Sequence, residues 1–248
     1  MGGRGWGQAA PAWAERSYEA YVGVLFDLLK FSIKGRITGE VDRAAGRYRV
    51  VAQGAGIGVT GRTESVGVVR AGRFVPTETT IANTVSGRDN RTHIVYDLDR
   101  RRVRFHSIGH TLLLGRRREV DDVVAMPAGT WVDDLFSAEL NFAAGTLDRD
   151  PDGAHRLTVV RRAKTDDEGA DDVSASGYRA ELLTVRFRPS AEAETGRLQA
   201  LVDITGFSSW ARASRPAQVT FGRDRQLEMV RSSLILSTTF TLRLFAGS

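Results

Sequence analysis

The sequence predicts a mainly β protein: one strongly curved antiparallel sheet, an open or partly closed barrel, with one main helix. Three observations lead there. Apolar and polar residues alternate over short runs, turn-forming residues separate the runs, and one segment alone carries a helical spacing.

The clearest run comes early. Leu29, Phe31, Ile33 and Ile37 share one face, while Lys30, Ser32, Lys34 and Arg36 share the other. Period 2 of this kind marks a strand with one face in a core and one in water. The pattern returns at Tyr48, Val50 and Ala52, at Val66 and Val68, at Thr92, Ile94 and Tyr96, and at Val103 and Phe105. Turn-forming groups at 43–46, 70–72, 86–90 and 97–100 lie between them, so the strands form an antiparallel meander.

The spacing of Trp131, Val132, Leu135, Phe136, Leu140 and Phe142 predicts a helix over 130–144, packed on the concave face of the sheet. Thr130 reads as its N-cap, Asp133 and Asp134 as its first turn and Gly145 as its stop. Strands follow around Leu157 and Val159, at 183–187 and at 198–204, with 189–196 joining the last two. Val219 to Phe221 and Leu227 to Met229 read as a hairpin across Gly222, and the alternation from Leu234 to Leu244 as a closing strand. Residues 1–16 read as a loose tail and 17–248 as a single domain.

Composition narrows the functional classes. Apolar content of 42% and charged content of 26% are ordinary for a globular chain. The absence of cysteine excludes disulfides, thiolate metal sites and a cysteine nucleophile. The net charge of +5 comes almost wholly from arginine and is scattered along the chain, so nucleic acid is not the expected partner. The triplets Arg100, Arg101, Arg102 and Arg116, Arg117, Arg118 read as charged turns, with an anionic membrane surface as their possible contact.

No motif carries catalysis. Gly56, Gly58 and Gly61 match a dinucleotide fingerprint, but the residues that follow alternate like a strand, where no helix can meet a pyrophosphate. His106 and His110 would lie about 13 Å apart on a strand, too far to share a metal ion. The acidic pairs at 121–122, 133–134, 166–167 and 171–172 read as solvated turns and helix starts. No cofactor or metal and no enzymatic activity are expected. A curved sheet can enclose an apolar cavity, with Phe105, Trp131, Phe136 and Phe142 as its candidate lining.

Gly72, Arg73, Phe74, Val75 and Pro76 after a strand, Tyr96 and Asp97 entering a turn, and Asp133 and Asp134 before Leu135, Phe136 and Ser137 form a further pattern. Over residues 18–145 this order is similar to the domain-of-unknown-function 3108 family of bacterial envelope proteins. The resemblance implies a β-rich, lipoprotein-carrier-like fold and export to the periplasm, and Ala12, Trp13 and Ala14 have the form of a signal-peptidase site. It brings no catalytic residues. The expectation is a periplasmic protein that binds or carries a lipid or other apolar ligand. The alternative is an envelope adaptor that binds another protein through a sheet edge or loops.

Overall fold

In the computed structural model the described residues are 15–24, 29–111, 114–163, 172–174, 177–192, 194–206, 211, 214–234 and 238–246. The chain first builds an eight-stranded meander. Its strands are β1 (Arg16–Val24), β2 (Leu29–Asp42), β3 (Arg47–Gly56), β4 (Val59–Arg70), β5 (Arg73–Val85), β6 (Arg88–Asp97), β7 (Arg102–His110) and β8 (Arg117–Ala125). Helix α1 (Leu135–Ala144) follows, then the hairpin β9 (His155–Arg162) and β10 (Ala180–Phe187). The remaining strands are β11 (Ser190–Ala191), β12 (Leu198–Val202), β13 (Ala217–Phe221), β14 (Leu227–Ser233) and β15 (Thr239–Ala246).

Thirteen strands form one antiparallel sheet in the order β11-β12-β13-β14-β15-β1-β2-β3-β4-β5-β6-β7-β8. The last strand returns to pair with the first, Arg16 opposite Ala246 and Gly23 opposite Thr239. Strands β9 and β10 form a separate two-stranded sheet. Residues 183–187, read as one more strand of a single sheet, belong to this second sheet, and it is the short β11, within the expected connection 189–196, that pairs with β12.

The helix shows how strongly the sheet curls. Leu140 and Phe136 pack with Tyr18 of β1, Ile37 of β2, Tyr48 and Val50 of β3, Phe74 of β5 and Leu244 of β15. Phe142 packs with Ala200 of β12 and Phe221 of β13. Laid flat, β12 to β5 would span roughly 38 Å at about 4.8 Å per strand. A ten-residue helix is about 15 Å long and about 10 Å wide, so it reaches both only if the sheet wraps around it. The expectation of a curved sheet with the helix on its concave face is met.

The sheet does not close on itself. The hairpin β9–β10 stands between its two ends, with β10 in contact with both β8 and β12. Val160 of β9 and Leu182 of β10 pack on Ile94, Tyr96, Val103, Phe105 and Val120, so the hairpin covers the inner face of β6–β8. The Ala180 N–H donates to Asp122 Oδ2 at 2.9 Å and pins the hairpin to β8.

The helix starts later than its spacing suggests. Asp134, not Thr130, is the N-cap: its side chain accepts from Ser137 N at 2.7 Å, and Ser137 Oγ accepts from Asp134 N at 2.9 Å. Residues 131–133 lie outside any helix or strand, Asp134 is extended, and Asp133 N donates to Thr158 O of β9 at 2.8 Å. Gly145 ends the helix as expected, in the left-handed region at φ 77°.

Arg16, placed by sequence in the loose tail, belongs to β1 and is buried. It pairs with Glu139 of α1 at 2.8 Å, and the Leu227 N–H of β14 donates to the same carboxylate at 3.2 Å. Burial holds Glu139 above the usual carboxylate range, against the pull of Arg16. The rest of the expected tail lies outside the described residues, as do the acidic pair 166–167 and the signal-peptidase-like triplet.

The dinucleotide-like glycines belong to the β3–β4 hairpin. Gly56 closes β3 opposite Val59, Gly58 turns the chain at φ 70°, and Gly61 lies inside β4. No helix follows, so the fingerprint is a turn.

Candidate functional site

The inward face of the sheet is not uniform. On β3, Tyr48 and Val50 are buried, whereas Ala52, Gly54 and Gly56 are half-exposed. On β6, Tyr96 and Ile94 are buried and Thr92 and Asn90 half-exposed; on β7, Val103 and Phe105 give way to Ser107 and Gly109. Strands β4 and β5 repeat the change at the same level, Ser65 giving way to Thr63 and Thr79 to Ile81. Five consecutive strands, β3 to β7, thus have an inner face sealed in one half and reached by solvent in the other. The half that α1 fills is core. The other half is an open hollow.

Its walls alternate in character. Ala20 faces Ile33 on one side and Leu242 on the other, and Val22 likewise faces Phe31 and Phe240. These make an apolar wall, while Thr63, Asn83, Thr92 and Ser107, with Ile81 between Thr63 and Thr92, make a mostly polar one. Tyr18 forms the floor, its ring lying against Gly35 and Gly54, where any side chain would collide with it. Burial raises the Tyr18 hydroxyl above the usual phenol range. Beside the polar wall lies a cavity of about 280 Å³ lined by Arg88, Arg118 and Arg162 with Asn90, Ser107 and Gly109. Arg118 Nε donates to Asp172 O at 2.9 Å and Arg162 stacks over Tyr178 at 4.7 Å, so both guanidinium groups are held in place.

The sealed half contains a buried polar network. Gly72, at φ 81°, turns the chain into β5 and presents Arg73. Arg73 donates to Asp133 Oδ2 at 2.7 Å, Asp148 Oδ1 at 3.2 Å and Thr146 O at 2.7 Å. Asn141 completes the site. Its side chain accepts from Phe74 N at 2.8 Å, donates to Phe74 O at 2.8 Å and donates to Asp133 Oδ1 at 3.0 Å. An asparagine thus acts as a strand partner where β5 has none, because pairing with β6 begins only at Glu78. Pro76 lies on that same unpaired stretch and costs β6 no hydrogen bond. Thr79 donates to Asp134 Oδ2 at 2.6 Å. Burial first and Asp134 second hold the Tyr96 hydroxyl well above the phenol range.

Of the family-like residues, the structure therefore brings Gly72, Tyr96, Asp133 and Asp134 into one region, with Pro76 beside it. Asp97 stands apart, capping its own turn by accepting from Arg100 N at 2.9 Å. Asp133 and Asp134 are not the solvated helix start expected: both are buried. Closed to solvent and saturated with donors, the network is suited to fastening α1 to the sheet and not to receiving a substrate.

The four aromatic residues expected to line one cavity do not meet. Phe105 lies in the core under the β9–β10 hairpin, and Phe136 packs against β1–β5. Phe142 sits among His155, Phe187 and Phe221 at centroid distances of 5.0, 5.6 and 4.4 Å. Trp131 is exposed beside the Arg73 guanidinium, 5.5 Å from its ring centre. The residues that do line the hollow, such as Ala20, Ile33 and Ile81, give no sequence signal beyond strand alternation. Among the described residues no group of three or more His, Asp or Glu side chains could hold a metal ion. The Arg100 to Arg102 turn is also more than a charged turn, because Arg101 Nε donates to Met126 O at 3.3 Å and its guanidinium also reaches Pro127 O.

Two buried groups make stability depend on pH in opposite senses. His155 is held down to about 4, by burial first and then by Arg149 and Arg225. Arg149 Nε donates to its Nε2 at 3.3 Å, which requires that nitrogen to be unprotonated. The unfolded histidine takes its proton near pH ~6.5, so this contribution is complete above that value and lost as pH falls toward about 4. Burial pushes Asp133 up to about 7 against the pull of Arg73. Its unfolded carboxyl titrates near ~3.9, so its contribution is complete below that value and lost as pH rises through about 7. His155→Phe, which keeps the ring, is expected to unmask stability that falls with pH across this window. Asp133→Asn is expected to unmask stability that rises. Urea midpoints at several pH values between about 4 and 7 check both signs.

No family model matches the chain, the domain-of-unknown-function 3108 family included, and no curated relative matches it. Among solved structures it is similar to the crystal structure of a β-barrel-like protein of domain of unknown function DUF1849 from Brucella abortus. The identity is 10% and the TM-score 0.43, over 97% of this chain and 100% of that one.

Proposed function

We propose that this protein binds an apolar or amphiphilic molecule, such as a lipid, in the open half of its curved sheet, as a carrier and not an enzyme. The observation that carries the reading is the change from sealed to solvent-reached inner face at one level on five consecutive strands, β3 to β7. A hollow left open beside a well-packed helix is a binding volume. Its apolar wall suits an acyl chain, and the guanidinium groups of Arg88, Arg118 and Arg162 favour a ligand with an anionic end. The envelope location is part of the proposal and rests on the sequence resemblance.

Titration with a fluorescent fatty acid tests it. Native protein is expected to bind with saturation, and Ile33→Glu with Ile81→Glu to weaken binding about tenfold or more by placing a carboxylate on each wall of the hollow. Both positions are half-buried at most, so the fold should survive, with circular dichroism as the check. Equal binding by native and double-variant protein would remove the hollow from the account.

The adaptor reading keeps one specific support. Exposed Val95 and Val123 flank a dent of about 390 Å³ on the outer face, together with Arg102 and Arg104.

A further inference from the structure

The two ends of the sheet differ in what their turns expose. At the end sealed by α1, the turns at 43–46, 71–72 and 98–101 carry alanine, aspartate, glycine and arginine, and their one large apolar residue, Leu98, packs into the core. At the open end, the β3–β4 turn carries Ile57, 95% exposed on a two-residue loop. The β7–β8 connection carries Leu114, 61% exposed, and Phe31 near the start of β2 is 40% exposed. Exposed apolar residues such as Phe245 and Leu135, toward the sealed end, stand on a strand and a helix start and need no explanation, but apolar tips on the turns of one end do. The register brings the flanks of three further connections to this end: Val24 beside Leu29, Val202 beside Ala217 and Ser233 beside Thr239.

Positive charge lies directly behind these tips. Lys34, Arg36, Arg62 and Arg91 project from the outer face of β2, β4 and β6 and line one shallow trough of about 720 Å³, in which Asp89 is the only carboxylate among the described residues. Arg117 stands behind Leu114 on β8. Their ion pairs, such as Lys34 with Glu19 at 2.8 Å and Arg62 with Glu64 at 2.8 Å, are exposed, and pairs of this kind exchange readily for other anions. The cations sit a few residues behind the tips, on the order of 10 Å along the strand. Apolar groups that enter a bilayer interface bury to about 5–10 Å, a depth that would put these cations at the level of the phosphates.

We propose that the open end of the sheet docks on an anionic lipid bilayer, with Ile57 and Leu114 entering the interface and the Lys34, Arg62, Arg91 and Arg117 belt meeting the headgroups. Apolar tips alone would fit many partners. Their pairing with a basic belt at headgroup distance selects an anionic membrane, and the end that docks is the end at which the hollow opens. Ile57 and Leu114 lie on turns outside the walls of the hollow, so docking and ligand binding can fail independently.

Vesicle flotation tests the proposal with the full chain and vesicles of phosphatidylcholine, with or without phosphatidylglycerol. Native protein is expected to float with the anionic vesicles and to be released as salt rises. Ile57→Asp with Leu114→Asp is expected to lower partitioning about tenfold or more while leaving fluorescent fatty-acid binding unchanged. Leu135→Asp removes an exposed leucine from the helix start and is expected to bind vesicles like the native chain. Absence of vesicle binding by native protein, equal binding by the tip variant, or loss in Leu135→Asp instead would each overturn it. So would salt-resistant binding to neutral vesicles.

Discussion

Arg73→Ala is expected to destabilise the protein by about 3–5 kcal/mol, the cost of leaving a buried carboxylate without its partner. Arg73 holds three acceptors that arrive from separate parts of the chain: Asp133 before the helix, and Thr146 and Asp148 after it. Both flanks of α1 are therefore fastened to β5 through one guanidinium. Arg73→Lys should rescue little, because a single ammonium cannot reproduce two nitrogens serving three oxygens in fixed directions. The companion Asp133→Asn should be milder, since Asn can still accept from Arg73 and Asp148 remains as the guanidinium's counter-ion. Urea denaturation of the three variants checks the order. A loss below about 1 kcal/mol in Arg73→Ala would show that water takes the place of the guanidinium.

Phe142→Ala carries the second large effect, about 3–5 kcal/mol. Phe142 is among the largest fully buried side chains and stands where the helix meets the far side of the sheet. It touches Phe221 of β13, Phe187 of β10 and His155 of β9, and Arg225 lies 4.5 Å above its ring centre. Truncation would leave a cavity bounded by three strands from two sheets, none of which can collapse inward without breaking its ladder. Phe142→Leu should recover roughly half of the loss. Thermal unfolding followed by near-ultraviolet circular dichroism checks both.

Much of the architecture is legible in the alternation of the sequence, and the failures have identifiable causes. The missed strand β5 contains Pro76 and a polar run at 77–80, which mimic a turn. Asn141 and the bulge opposite Gly67 are what make them tolerable. Strand β8 has polar residues on both faces because its inner face meets the arginine-lined cavity at Arg118 and the hairpin at Asp122. Strand β1 hides in a stretch where Tyr21 and Gly23 interrupt the polar face.

The helix boundary moved for a similar reason. Asp133 and Asp134 suit a first helical turn, but Arg73, Thr79 and Thr158 claim them first, and no local rule reveals partners so far away in the chain. The hollow was illegible from sequence. It exists because a ten-residue helix fills only half the length of the strands that wrap it, and its lining has the same alternation as the core.

Native mass spectrometry of the protein purified from cells without detergent tests the central claim most directly. The account predicts a species heavier than the polypeptide by the mass of a bound lipid, absent from the Ile33→Glu, Ile81→Glu variant and regained on adding fatty acid to the native chain only. A native protein that carries no added mass, and gains none with any apolar probe, would contradict it.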